Sequence, residues 1–587
     1  MDIFSIFTLC GGLAFFLYGM IVMSAGLEKI AGGKMEKMLE KMTSNPIKSL
    51  VLGAGITIAV QSSSAITVML VGFVNSGIMK LSQAIGVIMG SNIGTTITSW
   101  ILSLSGIQSS NFFIRLLKPE SFTPILALIG VIMLMTSKTN TSRNKNIGTF
   151  FLGFSILMFG MGLMSSAMAP LADDPRFAQV LTAFTNPVFG LIVGTVVTAI
   201  IQSSAASVGM LQALSMTGSV SYAMAVPIIV GQNIGTCITA VLSSIGVNTN
   251  ARRVAVVHVA FNMLGALIFL PVYFGAHYFI NFPFEEAVNP FGIAVAHSIF
   301  NVATTVVLFP FAKWLEKFAM CLVKDNKDEA EVIIDERLLL TPSFAINQCY
   351  KVTATMAKVT RETLVMSVRM LKQYNPKVAE IINKNEVLID KYQDTLESFL
   401  QKLSGRELSD EDSNKISQLI LSISDFEKIA DHAIHILNIA TKMQRKEWTL
   451  SQETIEELKH VVNAVKEVFD VTVNAFVAHD LAMAYHVEPL EQVVDDIAYF
   501  AKKNHIRRVK KDKSHIKRGF VYAEILNDLE RISDHCSNIA TNIIQSIHSS
   551  VPKHILKSQL KSADVGDFST KVEEFRSKYA VEPKVYK

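Results

Sequence analysis

A polar cluster set inside an apolar stretch, and then set there a second time, is the feature that most constrains this chain. Gln61-Ser62-Ser63-Ser64-Ala65 returns 141 positions later as Gln202-Ser203-Ser204-Ala205-Ala206. Gly90-Ser91-Asn92-Ile93-Gly94-Thr95 returns at the same offset as Gly231-Gln232-Asn233-Ile234-Gly235-Thr236. Asn45-Pro46 with Asn186-Pro187, and Gly19-Met20 with Gly160-Met161, keep that offset. Two gap-free copies therefore cover residues 19–98 and 160–239. Duplicated hydrophobic segments interrupted at corresponding positions point to the binding site of a secondary transporter.

Averages of 50% hydrophobic and 18% charged residues conceal two unlike halves. Up to about residue 323 the chain is a series of apolar segments, several longer than the roughly 18 residues that suggest a bilayer span. Beyond Lys324 it is charged and helix-patterned. The stretch 3–27 lacks a basic start and runs into the repeat, so it reads as a membrane helix and not as a signal peptide. The cysteines Cys10, Cys237, Cys321, Cys349 and Cys536 are scattered, which argues against a disulfide framework or a zinc site. No nucleic-acid patch stands out beyond the basic run 502–513, which fits a solvated helix end.

Charge indicates topology. Residues 28–49 carry Lys29, Lys34, Lys37, Lys41 and Lys48, whereas the equivalent residues 169–190 carry Arg176 beside Asp173 and Asp174. Basic loops stay cytoplasmic, so the equivalent loops should lie on opposite sides and the repeats should be inverted. Inversion needs an odd number of crossings per repeat. That holds if 47–74 and 187–216, which contain the glutamine-serine clusters, are re-entrant hairpins, tolerated at membrane depth where they line a wet cavity. Seven spans remain: 3–27, 83–104, 122–136, 148–168, 224–245, 254–280 and 291–311. Counted from an external N-terminus, Lys138, Arg143, Lys145, Arg252, Arg253, Lys313, Lys317 and the whole charged half fall inside. Glu285-Glu286 falls outside, and only Arg115 and Lys118 disagree. Hairpins that crossed fully would make the repeats parallel and leave the lysine asymmetry without a cause.

The clusters contain amides and hydroxyls but no charge, which argues against a proton relay or a buried ion pair. The groups are Gln61, Ser62, Ser63, Ser64, Asn92, Thr95, Thr96 and Thr98, with Gln202, Ser203, Ser204, Ser207, Asn233, Thr236 and Thr239. A helix broken at Gln-Ser-Ser restarts with free N–H groups, a site for an anion. The preceding half-helix ends in free carbonyls, which with hydroxyl oxygens suit sodium. Small and hydroxyl residues also let membrane helices pack closely, but that alone does not explain a duplicated set at fixed spacing. A second doublet, His258 with Asn262 and His297 with Asn301, places each pair on one helix face and reads mainly as glue between helices. No base, nucleophile or membrane metal set accompanies the hydroxyls, so an enzyme is not expected.

These residues resemble the type II sodium-dependent phosphate cotransporter family, here a bacterial member, over about residues 19–311. The resemblance implies an all-α polytopic membrane domain with two inverted repeats and re-entrant hairpins meeting at a central site. It implies sodium-driven phosphate transport by alternating access. Gln61, Ser62, Ser63, Gln202, Ser203 and Ser204 would face phosphate. Ser64, Asn92, Thr95, Asn233 and Thr236 would contact sodium or support the hairpins, with Thr96, Ser207 and Thr239 beside them. Ser64 becomes Ala205 and Thr96 becomes Cys237 in the second copy, so the cation sites need not be symmetric. Direction stays open, because some bacterial relatives work mainly in efflux.

The charged half is also duplicated. Its apolar residues recur at helical spacing, as in Ile416, Leu419, Ile420, Ile423, Phe426, Ala430, Ala433 and Leu437. Asp425-Phe426-Glu427-Lys428-Ile429-Ala430-Asp431-His432 is echoed by Asp528-Leu529-Glu530-Arg531-Ile532-Ser533-Asp534-His535. Upstream, Glu386 with Asp390 is echoed by Glu491 with Asp495. Each Glu and Asp four apart share a helical face and repel by roughly 0.2–0.5 kcal/mol, which invites a divalent cation such as magnesium, iron or zinc. A solvated acidic face with Lys428 and Arg531 as partners is the alternative. This half resembles the PhoU phosphate-regulatory domain, which implies two three-helix bundles in the cytoplasm and metal-holding acidic motifs.

The expected organisation is a membrane domain over 1–323, with repeat one at about 3–137, repeat two at about 148–280 and an extra helix at 291–311. A linker over 324–340, a PhoU-like domain over 341–550 and a polar tail over 551–587 follow. The expected setting is the bacterial inner membrane, with phosphate, sodium and the lipid bilayer as partners and homodimerisation left open. A regulated phosphate exporter and a non-transporting phosphate sensor are the competing readings.

Overall fold

The computed structural model describes residues 3–31, 45–106, 118–137, 143–171, 183–276, 279, 284–324, 334–406, 408–511, 516–545 and 568–579. Among them the regular structure is helical, apart from an isolated bridge between Ser221 and Ala287. The chain forms two compact units, Met1–Thr341 and Pro342–Lys587. The charged residues within 32–44 and 172–182, with Arg115, Lys138, Lys513 and residues 325–333, lie outside the described residues.

In the first unit, α1 (Ile3–Ala31) and α6 (Arg143–Met168) open the two copies and pack along glycines. A Cβ on Gly19 would lie 2.3 Å from the Leu157 backbone nitrogen, and one on Gly160 2.3 Å from that of Phe16. Gly12 meets the carbonyl of Gly160, and Gly19 that of Gly153. Gly12 and Gly153 are equivalent in the repeat, as are Gly19 and Gly160. Each therefore meets its partner's counterpart, so the helices run antiparallel about a pseudo-two-fold axis, as in a self-complementary contact.

The next elements start at equivalent residues and end within one position of each other. α2 (Pro46–Val60), α3 (Ser63–Asn75) and α4 (Leu81–Ser103) correspond to α7 (Pro187–Ile201), α8 (Ser204–Ser215) and α9 (Tyr222–Ser243). Asn45 and Asn186 cap α2 and α7 by accepting the N–H groups of Ile47 and Val188, each ahead of a proline in the first turn, a favoured helix start. Both helices then stop at glutamine. Gln61 and Gln202 adopt the left-handed conformation, with φ of 56° and 59°, which few residues other than glycine enter. Ser62 and Ser203 restart the helix, each accepting a backbone N–H, from Ala65 and Ala206, at 3.2 Å. Glutamine is the stop and serine the start.

Glycine also fixes α4 against α2 and α9 against α7. A Cβ on Gly90 would lie 1.9 Å from the Leu50 carbonyl oxygen, and one on its counterpart Gly231 would lie 2.1 Å from that of Leu191. Gly94 and Gly235, inside the Asn-Ile-Gly-Thr motif, approach Ala54 and Thr195 in the same way. α5 (Pro119–Thr136) packs on α6. α10 (Thr249–Ala276) packs on α3, α4 and α9, and α11 (Pro290–Leu308) on α8, α9 and α4. Exchanging the two copies converts one set of neighbours into the other. The two helices that carry His258–Asn262 and His297–Asn301 therefore occupy equivalent places. The amphipathic α12 (Ala312–Leu322) follows.

Among the described residues, six helical stretches are long and apolar enough to cross a membrane: Ile3–Leu27, Leu81–Gly106, Arg143–Met168, Tyr222–Ser243, Thr249–Ala276 and Pro290–Leu322. The expected span at 122–136 lies in α5, which falls among the shorter apolar helices and contains Pro124. Exposed side chains such as Phe4, Ile21, Leu128, Ile200, Leu267 and Val306 give this unit an apolar exterior.

In the second unit, α13 (Pro342–Met370), α14 (Pro376–Ser404) and α15 (Asp410–Arg445) form one three-helix bundle. α16 (Gln452–Ala478), α17 (Leu481–Lys511) and α18 (Ile516–Gln545) form the other. The apolar stripe from Ile416 to Leu437 is buried, with Ile420 half-buried. α15 packs on α18 and α13 on α16. Across the first contact His432 Nδ1 lies 2.9 Å from Asp528 Oδ1, and His535 Nδ1 2.8 Å from Asp425 Oδ1. These pairs exchange under the internal duplication, so the bundles too are related by a pseudo-two-fold. The expected polar tail contains a helix, α19 (Phe568–Tyr579), which packs on α17. Val572 is buried there, and Arg576 Nη2 donates to the fully buried Asp496 at 2.8 Å.

Substituting Gly90→Ala or Gly231→Ala should lower the thermal midpoint of the purified chain, at a cost of about 1–3 kcal/mol for overpacking. Gly55 has nothing within 4 Å of an added Cβ, so Gly55→Ala should leave the midpoint in place. Equal midpoints for Gly90→Ala and Gly55→Ala in scanning fluorimetry would contradict the close contact.

Candidate functional site

The two glutamine-serine turns meet. Ser64 Oγ donates to the carbonyl of Gln202 at 3.4 Å. Beside them opens a cavity of about 390 Å³, lined by Gln61, Ser62, Ser63 and Ser64 from one copy and Gln202, Ser203 and Ser204 from the other. Thr57, Thr95 and Thr98 complete its polar wall. All six residues expected to face phosphate are thus brought together, with Ser64 and Thr95 of the second group. Among the described residues, no charged side chain lines it.

Electrostatics in the cavity come from dipoles. α3 and α8 both begin at its wall. Each serine cap takes one first-turn N–H and leaves the helix start with partial positive charge. The two glutamines differ. Gln61 is nearly buried, and its Oε1 accepts from Thr98 Oγ1 at 2.6 Å while its Nε2 donates to the Ile58 carbonyl at 2.7 Å. Gln202 is exposed, and Thr239, the counterpart of Thr98, donates to the Thr236 carbonyl. One amide is held and the other is open.

The other expected residues lie behind the wall. Thr198 Oγ1 donates to Ser207 Oγ at 2.8 Å, and Gln232 Nε2 to the Ser207 carbonyl at 3.0 Å, tying α7 and α9 to α8. Asn92 Nδ2 donates to Asn262 Oδ1 at 3.3 Å. Asn233, Thr236 and Thr96 donate to carbonyls of their own helices. Ser99 Oγ and His297 Nδ1 lie 2.7 Å apart. His258, Asn262, His297 and Asn301 are all buried and none lines the cavity. Sequence reasoning missed the α1 wall of Met20, Ile21, Ser24 and Ala25. The repeated Gly19-Met20 pair was its available signal, and Ser203 Oγ approaches Met20 Sδ at 3.9 Å.

Comparison with known proteins decides the family. The Na+/Pi-cotransporter profile matches residues 15–166 and 156–277, and the PhoU domain profile matches 353–440 and 458–543. Uncharacterized protein YqeW of Bacillus subtilis is 30% identical over 314 residues, 53% of this chain and 96% of that protein. The chain belongs to the Na+/Pi-cotransporter family. Putative inorganic phosphate export protein YjbB of Salmonella typhimurium is 20% identical over 92% of this chain and 97% of its own length. Sodium-dependent phosphate transport protein 2A of Rattus norvegicus is 42% identical over 97 residues, 16% of this chain and 15% of that one. This Na+/Pi-cotransporter family member is a multi-pass membrane protein with a C-terminal PhoU region.

The PhoU region of this family member carries the second candidate centre. Burial first, then Asp390 and Asp431, raises the pKa of Glu386 above the usual 4.5. Burial followed by Asp431 and Asp394 raises Asp390 above 3.8. Glu427 is raised by burial and by Asp431. Carboxylates from α14 and α15 therefore lie close enough to repel one another. In the other bundle, oxygens of Glu491, Asp495 and Asp534 lie within 4.8 Å of one another. Glu530 turns instead to Lys502. Such carboxylate groups could hold a hard divalent cation.

Raised carboxyl pKa values mean that the folded cluster binds protons more readily than the unfolded chain. Its contribution to stability is full below the ordinary values and is lost as pH rises through the folded ones. Intrinsically corrected amide exchange over α14 and α15 of the metal-free intact chain should therefore quicken as pH rises above the ordinary carboxylate range. Asp431→Asn removes a charge common to all three shifts and should flatten that slope. An unchanged slope would place the repulsion elsewhere.

Proposed function

We propose that the first unit is a secondary active transporter that couples sodium to inorganic phosphate movement by alternating access. The second unit is its cytoplasmic, phosphate- or metal-responsive regulator. The observation that carries this reading is the cavity in which both glutamine-serine turns meet. An anion there finds two helix starts and hydroxyl donors but, among the described residues, no cationic side chain. Burying phosphate charge without counter-charge is costly, and sodium ions entering with it supply that charge. Gln61, Ser62, Ser63, Gln202, Ser203 and Ser204 bind phosphate. Ser64, Thr95 and Thr98 offer oxygens to sodium. Asn92, Thr96, Ser207, Asn233, Thr236 and Thr239 support the hairpins.

Two features support inverted repeats with re-entrant hairpins. α2, α3, α7 and α8 have 15, 13, 15 and 12 residues, each short of the about 20 that span a bilayer. α1 and α6 open equivalent copies yet run antiparallel. We place the chain in the bacterial inner membrane with its N-terminus outside and its regulatory half in the cytoplasm. The acidic groups of that half, Glu386, Asp390, Glu427, Asp431, Glu491, Asp495, Glu530 and Asp534, are offered to a divalent cation such as iron, zinc or magnesium. Of these, Glu530 is paired with Lys502 and would have to give up that partner to reach a cation. Phosphate export is the second reading, favoured by a similarity to the named exporter that runs through both halves.

Radiolabelled phosphate flux in proteoliposomes tests the reading, with an inward sodium gradient or potassium in its place, and with preloaded vesicles for efflux. Sodium-dependent uptake is expected. Gln61→Ala and Gln202→Ala should each weaken phosphate by roughly tenfold or more, the scale of a lost hydrogen bond to a charged group. Efflux without uptake would select export. Binding without flux in either direction would sink both transport readings in favour of a sensor.

A further inference from the structure

The repeat is broken where the connector to the regulatory half touches it. Asn75, the last residue of α3, has Met216 as its counterpart, and Gly72 has Ala213. Residues 334–340 are not a free linker. Ile334, Asp335 and Leu338 are buried within the first unit, Asp335 with 3% of its surface exposed. Glu336–Leu340 forms a 3-10 turn that packs on α3.

Each departure from the repeat serves that contact. Asn75 Nδ2 donates to Asp335 Oδ2. Its Oδ1 accepts from the Asn248 backbone at 2.8 Å, and its carbonyl accepts from Asn248 Nδ2 at 2.7 Å. Arg337 binds both oxygens of Asp335, at 3.2 and 3.1 Å, and Nη2 donates to the Ile245 carbonyl at 3.0 Å. A Cβ on Gly72 would lie 3.0 Å from Arg337 Cβ, so the alanine of the second copy would crowd the connector. One buried carboxylate thus joins the end of a hairpin, the turn between α9 and α10, and the chain leading to the regulator.

We propose that residues 334–340 are a strap through which the regulatory half controls hairpin one. The strap fastens the end of α3 to the α9–α10 turn of the opposite copy. The other end of α3 starts at Ser63 in the cavity wall, so fastening one end restrains the donors presented at the other. Buried hydrogen bonds to a charged group favour two discrete states, fastened and released, over gradual loosening. The control rests on the transporter reading above; the fastening itself does not.

A reversible cross-link tests the proposal in the intact chain. A disulfide needs Cβ atoms about 3.5–4.5 Å apart, and a Cβ at position 72 lies 3.0 Å from that of Arg337, so a small outward shift brings the pair into range. Gly72→Cys with Arg337→Cys would be made with the exposed Cys10→Ser and Cys321→Ser. The oxidised form is locked and the reduced form released, in one and the same protein. Maximal phosphate flux should be at least fivefold lower when oxidised, with KM within twofold. Amide exchange over residues 63–76 should be at least tenfold slower. Asp335→Ala, without the cross-link, should match the reduced form in both. Equal exchange in the two redox forms overturns the strap. Altered exchange with unaltered flux, in a chain whose parent transports, overturns its control of the site. A parent that carries no phosphate refutes the transporter reading instead, and the exchange contrast still decides the fastening.

Discussion

A helix that stops in the left-handed conformation on a glutamine and restarts on the next serine is the constraint on which the first unit depends. Placed inside an apolar segment, that break exposes carbonyl and N–H ends which a continuous helix would satisfy internally. They must then be met by caps, hydroxyls or ligand. The asparagine-proline starts of α2 and α7, the hydroxyls behind the turns and the glycines that draw α4 and α9 close all serve to hold these ends in place. The cavity is the space left where the two breaks face each other.

Much of this was legible because duplication is a strong signal. The offset of 141 pairs Pro46 with Pro187, Gln61 with Gln202 and Gly90 with Gly231, and α2, α3 and α4 begin at the positions where α7, α8 and α9 begin. The break itself could be read from Gln-Ser-Ser because serine is a strong helix start. The acidic repeats likewise marked the faces where α14 meets α15 and α17 meets α18.

What was not legible depended on neighbours distant in sequence. Asn92 and Asn233 look alike as residues, yet one reaches across to Asn262 and the other bonds to Ile229 of its own helix. Gly94 and Gly235 stand in a polar motif, but their role is to let backbones touch. Glu530 matches Glu427 by position, yet Lys502 claims it. The tail read as merely polar because α19 buries little beyond Val572 and is held mainly by ion pairs. Hydropathy cannot foresee such pairs.

The paired glutamines bear on how two conformations of such a molecule would be balanced. A chain built from two identical halves could exchange their shapes at no cost, so its two forms would be equally populated. Gln61, held by Thr98, and Gln202, left open, show that the halves are not energetically interchangeable. Ser64 against Ala205 and Asn75 against Met216 add to the difference. In a molecule that alternated between two such forms, each mismatch would weight one side of the equilibrium, and about 1.4 kcal/mol shifts it tenfold. The resting preference of such a molecule would be written in the positions where its two copies disagree.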